Sequence, residues 1–325
     1  MRGIHDRPRR LLSPAAALLA AACGGAPEGV EALRIEGGLS AWTSAGFQRL
    51  EPPVHMPSPE PGRDAVEVWL ALGEAPVGLR TGADGVARLL WPPGTRADRL
   101  EWNGEGAERR IVDVRGTSLG DDGCWHHVLR PQTEAPDAAL VGMRWRCDEP
   151  EAARAATAAM LEQLEALPPF SAMPEPRRRR ALAAFEQRND CDGCHAEARP
   201  DADAVGRWGP VARGTDASGF FAPHSVLRDE QPLEAYGAHD ANVDDAAIAV
   251  TCDGVPARPV EVSHAARRYR CDGAIVPQAR VDWPVLWRDD PVRARAICDA
   301  RARLLVAMDA PTRARYADAL RPCGR

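Results

Sequence analysis

Cys191-Asp192-Gly193-Cys194-His195 reads as C-x-x-C-H. Two thiols three positions apart can add across the two vinyl groups of haem, while the imidazole directly after the second thiol takes the iron from the proximal side. The pattern predicts one covalently attached haem c, with Cys191 and Cys194 as thioether positions and His195 as an axial ligand. Three blander readings compete: a redox C-x-x-C, half of a zinc site, or two unrelated thiols. Each leaves the adjacent histidine unexplained. No second C-x-x-C or H-x-x-x-H exists to complete a zinc tetrahedron, and the βαβ pattern of a thioredoxin-like motif is missing.

Residues 177–188 are amphipathic, with Leu182 and Phe185 on the apolar side, and they deliver the chain to Cys191. By the pentapeptide and this preceding helix the chain resembles bacterial c-type cytochromes. The resemblance implies a mainly helical haem region and carries roles onto Cys191, Cys194 and His195 alone. The run Arg177–Arg180 reads first as a solvated surface, with haem propionates or an acidic partner as the functional alternative.

The beginning of the chain suits this chemistry. Arg2, Arg7, Arg9 and Arg10 precede an apolar run from Leu11 to Ala22, and Cys23 follows directly. A basic region, a short apolar region and small residues make a secretory signal over 1–22, too short to span a bilayer. Ala20-Ala21-Ala22-Cys23 resembles a bacterial lipoprotein signal, which implies acylation of Cys23. Ala20, where such signals favour Leu, is a departure; an ordinary signal cleaved nearby is the alternative. The implied location is the cell envelope, lipid-anchored at the periplasmic face of the outer membrane, and export suits the haem because c-type attachment in bacteria occurs outside the cytoplasm.

Composition narrows the function classes. Residues 1–22 hold four Arg and one Asp, so the chain beyond them carries a formal −9 instead of −6. Such an acidic exported protein is not expected to bind nucleic acid, and a cationic partner suits it better. Lysine is absent, which removes lysine nucleophiles, Schiff bases and a P-loop lysine.

Of nine cysteines, six remain after Cys23 and the haem pair, in a compartment where disulfides persist. They fall into sequential couples: Cys124 with Cys147, Cys252 with Cys271, Cys298 with Cys323. The first couple flanks a loop at Glu134-Ala135-Pro136-Asp137 almost symmetrically, and the third flanks a turn near Ala310-Pro311. The second follows mainly by elimination.

The expected fold class is α+β in several parts. Residues 23–64 read as a tether with a lead-in strand or helix and a proline-rich linker. Residues 65–148 show period-2 patterning, as in Val66, Val68 and Leu70 or Met143, Trp145 and Cys147, and predict a small antiparallel β domain. The Trp91-Pro92-Pro93-Gly94-Thr95 turn and the following Glu108–Val112 resemble β-rich regions of some multi-part cytochrome lipoproteins, which transfers no function. Residues 149–325 are read as the helical haem region, with a disulfide-pinned β-hairpin and a C-terminal helical hairpin opened by Asp290-Pro291. Arg268-Tyr269-Arg270-Cys271-Asp272 echoes Arg144-Trp145-Arg146-Cys147-Asp148, which suggests two similar pinned hairpins. Cys124-Trp125-His126-His127 tempts toward a metal site, but adjacent histidines on a strand face opposite ways, so a structural role is preferred.

The leading functional expectation is single-electron transfer between redox partner proteins by a lipid-anchored mono-haem cytochrome, more a carrier than an enzyme. The alternatives are a haem enzyme or gas sensor with an open iron site, and a partner-binding lipoprotein in which haem is structural. The sixth iron ligand is expected to be His224, which follows Phe220, Phe221 and Pro223. His239 is next and Met308 third, with Met173 and an open site as further possibilities.

Overall fold

The computed structural model describes residues 29–51, 66–81, 87–104, 109–147, 149–188, 225–227, 229–232, 240–241, 247–252, 254–263, 266–270 and 278–324. In chain order the first elements are β1 (Val30–Ile35), α1 (Leu39–Ser44), β2 (Gln48–Leu50), β3 (Val66–Ala71), β4 (Gly78–Thr81), β5 (Ala87–Leu90), β6 (Arg96–Asn103), β7 (Arg110–Gly120), β8 (Gly123–Pro131) and β9 (Leu140–Arg146). Two helices follow, α2 (Pro150–Ala166) and α3 (Glu175–Arg188). Beyond Ser225 come β10 (Glu230–Pro232), β11 (Asp240–Ala241), β12 (Ile248–Cys252), β13 (Val255–Pro256), β14 (Arg258–Ser263), β15 (Ala266–Arg270) and β16 (Gln278–Val281). The chain closes with α4 (Trp283–Asp289), α5 (Pro291–Val306), α6 (Ala310–Tyr316) and a 3-10 turn over Ala317–Cys323.

The fold is α+β, centred on a seven-stranded antiparallel sheet of order β1-β9-β8-β7-β6-β3-β2. Its centre is a meander of consecutive strands, as the alternating pattern from 96 to 146 requires. Both edge strands come from residues 30–50, which sequence patterning reads as a tether and lead-in. Three apolar positions explain the recruitment: Val30, Trp42 and Leu50 are all buried, and short segments can hide them only by joining the sheet.

Each face of the sheet has its own cover. On one, α1 lays Trp42 over Trp69, Leu100, Val114, Leu129 and Leu140. On the other, α2 and α3 bury Ala156, Met160, Leu164, Phe170 and Phe185 against Val30, Val128, Met143 and Trp145. The β2 side of this second face belongs instead to α5, whose Leu304 and Leu305 join Leu50, Leu70, Ala97 and Leu119. The link is also made by backbone, since Val77 N–H donates to Ala307 O at 2.8 Å and Asp309 N–H to Val77 O at 3.0 Å.

The caps follow local rules. Asp290 Oδ1 accepts from Arg293 N at 2.9 Å with Pro291 at the first helical position, and Asp309 repeats the device for α6 through Thr312 N at 2.9 Å. Disulfides join Cys124 to Cys147 and Cys298 to Cys323 as expected, at Cα separations of 5.4 and 5.7 Å. Cys252 is disulfide-bonded too, and its expected partner Cys271 lies outside the described residues.

The second hairpin differs from its expected form. Arg268-Tyr269-Arg270 lies on β15 and pairs with β14, as Arg144-Trp145-Arg146 on β9 pairs with β8. Cys124 sits in β8 itself, whereas Cys252 sits in β12, a strand of a separate four-stranded sheet of order β10-β16-β12-β13. Ile248 and Val250 of β12 are buried with Trp283, Leu286 and Ile297.

Candidate functional site

Cys191, Cys194, His195, His224 and His239 lie outside the described residues, as does Cys23. What the structure places is the chain on either side of Cys191–His224. On the upstream side α3 is fixed by Phe185, buried among α2 and the sheet and ringed by guanidiniums: Arg130 Cζ stands 5.1 Å and Arg115 Cζ 5.5 Å from its ring centroid. Each such cation–π contact contributes about 0.5–2 kcal/mol, more where water is excluded. Arg178 reaches back to Glu165 of α2 at 3.6 Å, while Arg179 pairs with Glu175 within α3 at 2.5 Å. Two of the four arginines in the 177–180 run therefore have helical partners.

Downstream, Val226 and Leu227 are buried in the cluster that holds Ala97, Leu119, Leu304 and Met308. Arg301 of α5, wholly buried, secures them. Its Nε donates to Val226 O at 2.7 Å, Nη1 to Ala319 O at 2.7 Å and Nη2 to Asp229 Oδ1 at 2.8 Å, and its guanidinium lies 4.9 Å over the Trp283 ring. Burial lowers the Arg301 pKa, and Asp229 opposes the shift. The chain before residue 189 and the chain after residue 224 are thus attached to the same side of the large sheet.

Between these attachments the sheet carries charge. Arg99 of β6 and Arg115 of β7 are directly paired in register, in a row that continues to Val128 and Met143. Glu101 and Asp113 form the next pair on the same face. Arg115 Nε bonds Asp113 Oδ2 at 2.8 Å, and Arg130 Nη2 stands 3.0 Å from Asp113 Oδ1. Burial works against the Asp113 carboxylate, but Arg115, Arg130 and Arg99 outweigh it and hold the pKa below the ordinary value. Arg99 is displaced downward by burial, with Glu101 and Asp113 opposing.

The opposite face holds a second buried polar group. Asp98 accepts from Trp42 Nε1 at 2.6 Å, lies 2.8 Å from His127 Nε2, and pairs with Arg96 at 2.8 Å. Gly116 lies between Asp98 and His127 in the register. A Cβ there would collide with Asp98 Oδ1 and His127 Nε2, so only glycine permits this approach. Burial lowers the His127 pKa against the pull of Asp98. Nε2 is the ring nitrogen that faces Asp98, so its N–H donates to that carboxylate.

His126, on the other face, tilts against Trp145 with centroids 5.9 Å apart. The two histidines thus point to opposite faces and do not share a ligand set. Among the described residues no cluster of three or more His, Cys, Asp or Glu is placed to hold a metal ion. Met308 packs in the core with Leu304 and Leu305, and Met173 packs against the α2–α3 cluster. Sequence reasoning did not single out Arg99, Arg115, Arg130 or Arg301. The signal available was the alternation Arg99-x-Glu101 and Asp113-x-Arg115, which puts charge on a face that must be covered.

No family model, curated protein or solved structure matches this chain. Among the described residues no helix is long and apolar enough to cross a membrane.

Proposed function

We propose that this protein is an exported, lipid-anchored mono-haem c-type cytochrome that passes single electrons between redox partner proteins. One observation carries the reading: Cys191-Asp192-Gly193-Cys194-His195 contains, at the required spacing, both nucleophilic thiols and the imidazole that covalent haem attachment needs. The donor set fits haem c, and the helical approach to it is supplied by α3, which ends at Arg188.

Bound haem supplies an iron that exchanges one electron between its ferrous and ferric states. The chain's own residues do the rest. Cys191 and Cys194 would hold the group covalently through redox cycling, and His195 would ligate its iron. The Phe185 and Arg301 anchors fix the ends of the segment that carries them. Acylation of Cys23 would keep the protein at the membrane surface, and His224 is proposed as the distal ligand.

The test is maturation in a host competent for c-type assembly, followed by denaturation and acid extraction of haem. Haem should stay with the polypeptide, and Cys191→Ser or Cys194→Ser should weaken or abolish this. A wild-type protein matured without haem would overturn the proposal.

A further inference from the structure

We infer that Arg99 and Arg115 form a receptor on the sheet for the carboxylates of the haem, an inference that rests on the cytochrome reading above. The first argument is electrostatic. Like charges directly opposite on neighbouring strands are destabilising, yet Arg99 and Arg115 face each other across β6 and β7. Among the described residues the cluster holds three guanidiniums, Arg99, Arg115 and Arg130, and the carboxylates of Glu101 and Asp113. Asp113 is engaged by both Arg115 and Arg130. Arg99 reaches Glu101 only at 3.5 Å from each of its terminal nitrogens, the outer limit of a hydrogen bond.

The second argument is which groups face outward. The Glu101 and Asp113 side chains are 5% and 3% exposed, whereas Arg99 and Arg115 keep 29% and 23%. The two arginine side chains are therefore more accessible than the two carboxylates. Such partial exposure suits a small carboxylate received through a planar fork of donors; it is too little for a protein surface.

The third argument is position. Arg99 and Arg115 stand between strands covered by α5, at Leu50 and Leu70, and strands covered by α2 and α3, at Val128 and Met143. Arg115 touches Phe185 of α3. Cys191 follows Arg188 by three residues, so covalent geometry keeps its Cα within about 11 Å of the end of α3. Arg115 thus contacts the helix that precedes the first thioether position in sequence.

The experiment uses the mature holoprotein with Arg99→Gln, Arg115→Gln, their Lys counterparts, and Arg34→Gln as an exposed control on the β1 edge. Haem midpoint potential is measured by redox potentiometry from pH 5 to 9. A guanidinium beside a propionate keeps it ionised at low pH and offsets its charge. Removing the guanidinium should shift the midpoint downward at high pH, because an unneutralised anion favours ferric iron. It should also move propionate ionisation into the measured range, so that the midpoint falls as pH rises through it. Arg34→Gln should match the wild type, and the Lys variants should restore most of the shift. Covalent haem with a midpoint and pH profile unchanged in both Gln variants would overturn the receptor while leaving the cytochrome reading intact. Should one Gln variant fail to fold, the other decides by the same reading: a lowered midpoint that falls as pH rises supports the receptor, and a wild-type midpoint and pH profile overturn it. A wild-type protein without covalent haem would instead remove the reading beneath.

Discussion

His127 Nε2 lies 2.8 Å from Asp98 Oδ1 with both side chains buried, and Trp42 and Arg96 complete the coordination of that carboxylate. The group joins α1 to the middle of the sheet and is a structural lock, since Trp42, Asp98 and His127 are all buried.

Stability should fall as the solution is acidified. His127 has a pKa lowered by burial, so the folded state binds its proton less readily than the unfolded chain. That contribution is present above about pH 6.5 and is lost progressively below it. Asp98, despite the opposing effect of burial, is held low by His127 and Arg96; its contribution is present above about pH 4 and is lost as pH falls through the folded value. Thermal unfolding between pH 8 and 4 should show a declining midpoint, with a smaller decline in His127→Gln over the upper part of the range. Parallel curves for the two proteins there would contradict the assignment.

Asp98→Ala should be severe. It leaves Arg96, Trp42 Nε1 and His127 Nε2 without their shared acceptor. Breaking one side of a buried charged pair costs about 3–5 kcal/mol. Denaturant titration measures it, and a loss below about 1 kcal/mol would show that the network relaxes.

Arg301→Met should release the chain downstream of the haem segment. The change keeps an apolar stem against Trp283 but leaves the carbonyls of Val226 and Ala319 without their donor. Each buried unsatisfied group costs about 1–3 kcal/mol. Hydrogen exchange should then rise at 226–229 and 319, and an unaltered exchange pattern there would show that another contact holds the segment.

Peptide mapping without reduction should find Cys124–Cys147, Cys252–Cys271 and Cys298–Cys323. The first and third close loops with sequence separations of 23 and 25, and removing either should cost about 3 kcal/mol in the chain-entropy account. A different partner for Cys252 would redraw the link between β12 and the β14–β15 hairpin.

His224→Ala in the holoprotein should turn a low-spin absorption spectrum high-spin and allow carbon monoxide to bind. Two imidazoles generally give a lower potential than a His/Met pair. An unchanged spectrum, or a methionine-to-iron charge-transfer band in the wild type, would remove His224 as the distal ligand.

Local signals determined a good part of this protein. The chemistry of Cys191, Cys194 and His195 is a matter of covalent spacing. The strands around Ile111, Val128 and Met143 announce themselves by alternation, and α5 by the Asp290-Pro291 start. The Cys124–Cys147 pairing was legible because a symmetric hairpin brings its own ends together.

Contacts between distant segments could only be decided by the tertiary structure. Trp42 lies in a segment that resembles a tether, and it becomes core because Asp98 offers a buried acceptor 56 residues away. Cys252 sits on β12, in a different sheet from the β14–β15 hairpin, where Ile248 and Val250 are buried with Trp283 and Leu286. Arg99 and Arg115 become neighbours through the β6–β7 register, and Arg301 finds Val226 only because α5 packs across the sheet. In each case the deciding quantity is a cross-chain match of buried charge or apolar surface, which no window of local sequence contains.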